Sequence, residues 1–162
     1  MALLPGTEDE LDDLRIKVSE IMTRELITVP PDASIAEVAK LMDENNIGSV
    51  IVKEGGRVVG IITERDIIKR YAAKMKDKLP SEVKAREIMT DKLITIGEWE
   101  DIYEAARKMC EHNIRRLIVR DRNGCTVGII SMRDVMREAP HIWYILLERL
   151  KLARSLRSPS LI

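Results

Sequence analysis

The sequence predicts an α+β protein made of two copies of one β-α-β-β-α unit. Three observations carry that expectation: a collinear internal repeat, an apolar helical stripe in each copy, and two short apolar runs about a turn in each copy. Internal repeats report the supersecondary unit directly. Glu20-Ile21-Met22-Thr23 recurs as Glu87-Ile88-Met89-Thr90, an offset of 67 residues. At the same offset Leu26-Ile27-Thr28-Val29 recurs as Leu93-Ile94-Thr95-Ile96, Asn46-Ile47 as Asn113-Ile114, and Ile51-Val52 as Ile118-Val119. Past Gly55-Gly56 and Asn123-Gly124 the offset becomes 68, with Gly60-Ile61-Ile62 matching Gly128-Ile129-Ile130 and Arg65-Asp66 matching Arg133-Asp134. A one-residue insertion belongs in such a surface turn.

Each element follows from local pattern. Leu26–Val29 reads as a short strand. Asp32 or Ser34 caps the next helix, and Asp101 stands where Ser34 does in the first copy. That helix carries Ile35, Val38, Ala39 and Met42 on one face, and the second copy repeats the stripe with Ile102, Ala105, Ala106 and Met109. Val50–Val52 and Val58–Ile62 read as a hairpin about Gly55-Gly56, and Leu117–Val119 and Val127–Ile130 as its counterpart about Asn123-Gly124. A second helix follows from about Glu64 to Met75 and from about Met132 to Arg137. Leu79-Pro80-Ser81 breaks the chain between copies. The resulting organisation is an acidic segment 1–15, repeats over 16–78 and 83–138, and an amphipathic helix over 141–157. A unit of roughly 60 residues buries too little surface to stand alone, so the two should pack together.

Composition narrows the function classes. Twenty-seven basic residues balance 27 acidic ones, so bulk charge points neither to nucleic acid nor to a membrane surface. Cys110 and Cys125 have no CxxC or His/Cys company, and His112 and His141 stand apart from any ligand cluster, so no metal site is expected. Neither a signal-peptide core nor a membrane-length apolar run occurs, which makes cytoplasm the expected compartment. With no nucleophile–base pair and no G-x-S-x-G, Walker A or H-E-x-x-H pattern, no catalytic residue is assigned.

The informative motif is Gly60-Ile61-Ile62-Thr63-Glu64-Arg65-Asp66, repeated as Gly128-Ile129-Ile130-Ser131-Met132-Arg133-Asp134. A strand ends, a hydroxyl residue follows, and a helix begins. Thr63 and Ser131 sit at the N-cap, with Asp66 and Asp134 three residues on, the spacing of a capping box. The same junction suits a nucleotide, because free helix N–H groups favour phosphate and a carboxylate accepts ribose hydroxyls. The two readings are compatible.

The repeated unit, the doubled G-h-h-[ST]-x-x-D ending and the IMT…LITV opening resemble paired cystathionine β-synthase-type (CBS) domains over about residues 16–138. That resemblance implies two repeats packed sheet to sheet with pseudo-two-fold symmetry, two clefts, and modules that pair into homodimers. It implies an adenosine ligand: AMP, ADP, ATP or S-adenosylmethionine. Asp66 and Asp134 would hold ribose hydroxyls, Thr63 and Ser131 would contact phosphate or ribose, and Thr28 and Thr95 would line the adenine pocket. The family also uses the dipeptide before the hairpin, here Gly48-Ser49 and Arg115-Arg116. Two guanidiniums grip phosphate where Gly and Ser offer a backbone and a hydroxyl, so the clefts should be unequal; the alternative for the arginines is solvated surface charge.

Pro30-Pro31-Asp32-Ala33 is replaced in the second copy by Gly97-Glu98-Trp99-Glu100, and Trp99 is expected to pack. Residues 141–162 carry Arg149, Lys151, Arg154 and Arg157 against Glu148, and this helix is expected to cover its own module or a sister subunit. A membrane surface, an effector protein or nucleic acid are its alternatives. The leading expectation is a nucleotide-responsive regulatory module, the second an interaction or scaffold protein, and the third, least supported, an enzyme.

Overall fold

The computed structural model describes residues 15–138 and Pro140. The expected helix over 141–157 and all but Arg15 of the acidic segment lie outside the described residues. The first repeat contains α1 (Val18–Ile21), β1 (Thr28–Val29), α2 (Ile35–Asn45), β2 (Ser49–Glu54), β3 (Arg57–Thr63) and α3 (Glu64–Asp66). The second contains α4 (Ala85–Ile88), β4 (Thr95–Gly97), α5 (Ile102–Glu111), β5 (Arg116–Arg120), β6 (Thr126–Ser131) and α6 (Met132–Arg137). Two three-stranded sheets result, ordered β1-β2-β3 and β4-β5-β6, each a parallel pair followed by an antiparallel hairpin. This is the expected α+β architecture.

Local chemistry fixes the boundaries. Ser34 rather than Asp32 caps α2, its hydroxyl accepting from the Glu37 amide, while Asp101 caps α5 through the Glu104 amide. Both helices close on an asparagine with positive φ, Asn46 (51°) and Asn113 (50°). The following amide then reaches back, Ile47 to the Met42 carbonyl and Ile114 to the Met109 carbonyl.

Strands β2 and β5 alternate between two buried faces. Val50 and Val52 enter one core and Leu117 and Val119 the other. Ile51 and Ile118, on the opposite faces, are equally buried but belong to neither core. Both faces of each sheet are therefore covered.

Contacts between repeats come in reciprocal pairs, the signature of a two-fold operator. Thr23 exchanges backbone hydrogen bonds with Ile129 at 2.9 and 3.0 Å, and Thr90 does so with Ile61 at the same two distances. The Val18 amide donates to the Glu100 carbonyl, as the Ala85 amide does to the Ala33 carbonyl. One consequence was not legible in the repeat itself: each opening segment packs into the other copy. Val18 and Met22 join the core of Ile102, Met109 and Leu117, while Val83, Ala85 and Ile88 join that of Ile35, Val38 and Val50.

Two details differ from the sequence pattern. The first-copy helix expected over Glu64–Met75 is α-helical only to Asp66, then widens into a π-helical turn over Ile67–Ala72. Its Ala73 amide bonds the Ile68 carbonyl at 3.0 Å, five residues back. The first strands are also shorter than the apolar runs that predict them, because Thr28 and Val29 alone pair in register with Ile51 and Val52.

Candidate functional site

The ends of β3 and β6 place the motif residues. Ser49 lies opposite Thr63, and Arg116 opposite Ser131, so each dipeptide and each hydroxyl are cross-strand neighbours. The Gly48 carbonyl accepts the first helical amide, that of Glu64, at 3.1 Å, and the Arg115 carbonyl accepts that of Met132 at 2.8 Å. Thr28 and Thr95 pair with Ile51 and Ile118, two residues along β2 and β5 from Ser49 and Arg116. Each sheet thus gathers four of its five predicted positions near one strand-to-helix junction, and the aspartate follows in the first helical turn.

Both junctions are capping boxes. Asp66 Oδ2 accepts from the Thr63 amide (2.9 Å) and hydroxyl (3.0 Å), while Thr63 Oγ1 accepts from the Asp66 amide (3.3 Å). Asp134 Oδ2 accepts from the Ser131 amide and hydroxyl, both at 2.7 Å, and Ser131 Oγ accepts from the Asp134 amide at 3.2 Å. One oxygen of each carboxylate is committed to its cap, which leaves Oδ1 for other work. Asp66 Oδ1 accepts from the Thr90 hydroxyl at 3.4 Å and lies 3.6 Å from Arg70 Nε. Among the described residues Asp134 Oδ1 has a single ion-pair partner, Arg137 at 3.8 Å.

Arg116 is half-buried and Arg115 exposed. Burial pushes the Arg116 guanidinium below its ordinary pKa, Glu64 opposes that, and the neighbouring Arg133 and Arg115 add to it. Asp134 acts on the same group in the opposite sense. Arg116 therefore lies among two further guanidiniums, Arg115 and Arg133, and two carboxylates, Glu64 and Asp134, a net positive arrangement that favours an added anion.

Trp99 lies across Gly97, where a Cβ would meet its ring at 2.5 Å, and Arg122 stands 4.6 Å above the ring centroid. The indole thus packs as expected, though 42% of its surface stays exposed. It borders a 950 Å³ cavity with Arg15, Lys17, Glu20 and Asp101, while a 340 Å³ cavity lies against α2 by Val29, Glu37 and Leu41. Neither is bordered by Asp66 or Asp134. Among the described residues no group of three His, Cys, Asp or Glu could hold a metal ion, and no helix is long and apolar enough to cross a membrane.

Thr90 and Arg70 were not singled out by sequence. Thr90 belongs to the repeated Ile-Met-Thr and was legible only as a landmark. Arg70 was detectable as a break in symmetry, since Glu138 takes its place in the second copy.

The doubled unit, its reciprocal packing and the paired caps agree with comparison to known proteins. The CBS domain family matches twice, over residues 18–73 and 85–141. The chain belongs to the CBS domain family. The uncharacterized protein MK0525 from Methanopyrus kandleri is 38% identical over 137 residues, 84% of this chain and 69% of that one. The CBS domain pair of protein MJ0100, solved with 5′-methylthioadenosine and S-adenosyl-L-methionine, is 34% identical with a TM-score of 0.68, covering 78% of this chain and 98% of that one. The CBS domain protein PAE2072 from Pyrobaculum aerophilum, solved with AMP, is 33% identical with a TM-score of 0.64, covering 74% and 89%. Enzymes also contain a similar CBS part: the inosine-5′-monophosphate dehydrogenase of Korarchaeum cryptofilum is 31% identical over 77% of this chain but only 25% of its own length.

Proposed function

We propose that this chain is a regulatory module that binds an adenosine-containing nucleotide and catalyses no reaction. AMP is the first candidate, with ADP, ATP and S-adenosylmethionine as alternatives. The observation that carries the reading is the division of labour at Asp134: Oδ2 holds the helix cap, while Oδ1 has no hydrogen-bond donor among the described residues and faces Arg137 at 3.8 Å. A ribose diol is a fitting donor pair for that oxygen. Arg116, which interacts with Asp134 and has Arg115 and Arg133 around it, favours a phosphorylated ligand, and the adenosine ligands of two similar CBS proteins fit the same chemistry. Thr28 and Thr95 remain the proposed adenine-side residues, and Gly48 and Ser49 the proposed counterparts of the arginines.

The module acts in this reading as a homodimer. Ile68 and Met136 occupy equivalent places in the two repeats and are 63% and 66% exposed, which suits a shared apolar contact.

A thermal-shift panel of AMP, ADP, ATP, S-adenosylmethionine and NAD tests the function. A ligand at 100 times its dissociation constant stabilises by about 2.7 kcal/mol, a readily measured rise in Tm. If none of the five moves Tm, the nucleotide reading is wrong.

A further inference from the structure

The two caps share a plan, but their free oxygens do not share an environment. Asp66 Oδ1 is met by the Thr90 hydroxyl and by the Arg70 guanidinium. Arg70 is itself pinned, because its Nη1 donates to the Ile88 carbonyl at 3.1 Å and the Met89 carbonyl at 2.8 Å. A single side chain thus ties the π-helical turn after β3 to the C-terminal end of α4, with Asp66 between them. The wider turn over Ile67–Ala72 is the segment that carries Arg70.

In the second repeat Arg137 lies 3.8 Å from Asp134 Oδ1, but among the described residues no side-chain hydrogen bond runs from that turn to α1. Glu138 replaces Arg70, and a carboxylate can neither donate to backbone carbonyls nor neutralise Asp134. Thr23 stands where Thr90 does, yet its hydroxyl makes no hydrogen bond to Asp134. The Asp134 side chain is 17% exposed against 11% for Asp66.

We propose that Arg70 and Thr90 lock the first-repeat cleft, so that the chain takes one nucleotide, at Asp134, and the Asp66 junction serves as a structural tie between repeats. A ribose approaching Asp66 would have to displace a hydroxyl and a charged group already anchored at two other points. Charge-assisted bonds resist such exchange more than neutral ones. At Asp134 it meets Arg137, which lies 3.8 Å from Oδ1, is 69% exposed and, among the described residues, donates no hydrogen bond to backbone. The inference rests on the nucleotide reading above and adds which junction binds, and why the other does not.

Isothermal titration of the full chain with AMP tests it. The expected stoichiometry is one per chain. Asp134→Asn should weaken AMP by roughly tenfold or more while Asp66→Asn leaves affinity and stoichiometry unchanged. The pair Arg70→Ala and Thr90→Val should raise the stoichiometry to two. Circular dichroism confirms folding, and Arg70→Gln with Thr90→Val replaces that pair if it unfolds. Two equal sites in the unaltered chain, a single site that maps to Asp66, or a folded unlocked variant that still binds one AMP would each overturn the lock and spare the nucleotide reading. Absence of binding by AMP, ADP, ATP and S-adenosylmethionine alike would overturn both.

Discussion

The guanidinium of Arg116 rests on Gly48. A Cβ built at Gly48 would lie 2.3 Å from Arg116 Nη2 and 3.3 Å from its Cζ, with the Glu64 carboxyl carbon at 3.4 Å. The two dipeptides that most distinguish the repeats are therefore in contact across the pseudo-two-fold axis, and the smallness of one makes room for the charge of the other. Gly48→Ala should displace the far end of a flexible side chain rather than backbone. Its stability cost should stay within about 1 kcal/mol. AMP affinity should nonetheless fall several-fold while adenosine is unaffected. Unchanged AMP binding in titration would show that the resting place of Arg116 does not matter to phosphate.

Replacing Arg115 and Arg116 together by alanine makes the complementary test. Hydrogen bonds to charged groups contribute about 1.5–3 kcal/mol each, so AMP should weaken at least tenfold and adenosine little. The AMP affinity of the unaltered chain should also fall with added salt, and that dependence should flatten in the double variant. Equal losses for AMP and adenosine in parallel titrations would remove the phosphate role.

Gly60 and Gly128 occupy equivalent positions but should respond unequally to alanine. At Gly60 an added Cβ meets the Met89 side chain, Sδ at 2.5 Å and Cγ at 2.9 Å. At Gly128 it meets Met22 Sδ at 2.8 Å and the Thr23 carbonyl oxygen at 2.9 Å. A thioether can swing aside, whereas the Thr23 carbonyl is held by the Ile129 amide. Both variants should lose stability, within the range of about 1–3 kcal/mol for overpacking, with Gly128→Ala the worse. Denaturant midpoints rank them, and the reverse order would argue against a rigid Thr23–Ile129 bridge.

How much of this was legible in the sequence depends on the range of the interaction. The repeat, the α2 and α5 stripes, the hairpins and the Thr63–Asp66 and Ser131–Asp134 boxes are local patterns, and each is present. The exchange of Val18 and Ile88 between cores is not local. Both residues sit in four-residue helices whose propensity says nothing about which copy they enter. The Arg70–Asp66 pair keeps an i,i+4 spacing, but the bonds from Arg70 to the Ile88 and Met89 carbonyls join segments far apart in sequence and are not local. Arg116 against Gly48 is a contact between copies, and no offset within one copy reveals it.

Acid should weaken the bond between repeat one and the incoming α4 segment. Asp32 Oδ1 accepts a hydrogen bond from Arg86 Nη2 at 2.6 Å and lies 3.4 Å from Lys84 Nζ, and Lys84 and Arg86 together hold its carboxyl below the ordinary aspartate range. A carboxylate whose pKa is lowered on folding contributes stability above its unfolded pKa and loses it as pH falls through the folded value. Asp32→Asn should therefore lower Tm at pH 7, and the gap from the unaltered chain should close below about pH 4. The pair is exposed, so high salt should narrow the gap at neutral pH as well. A gap that persists in acid would assign the effect to something other than the charge on Asp32.

The exchanged segments set what can fold alone. Val83, Ala85 and Ile88 are fully buried in the first-repeat core, although they belong by sequence to the second copy. Burying a valine and an isoleucine contributes roughly 3–6 kcal/mol together. That rivals the whole stability of a unit so short, given about 5–15 kcal/mol for complete domains. A fragment spanning residues 24–78 contains every strand of the first sheet and both of its longer helical segments, yet should show no cooperative thermal transition by circular dichroism. Extending it to residue 92 restores the three buried side chains and the Thr90–Ile61 bridge, and a transition should appear. In the full chain Ile88→Ala should cost about 2–5 kcal/mol, as Ile35→Ala does, because both empty the same core. Cooperative unfolding of the shorter fragment would mean that the first repeat is complete without its partner's opening segment, and that the exchange joins two folded units instead of building them.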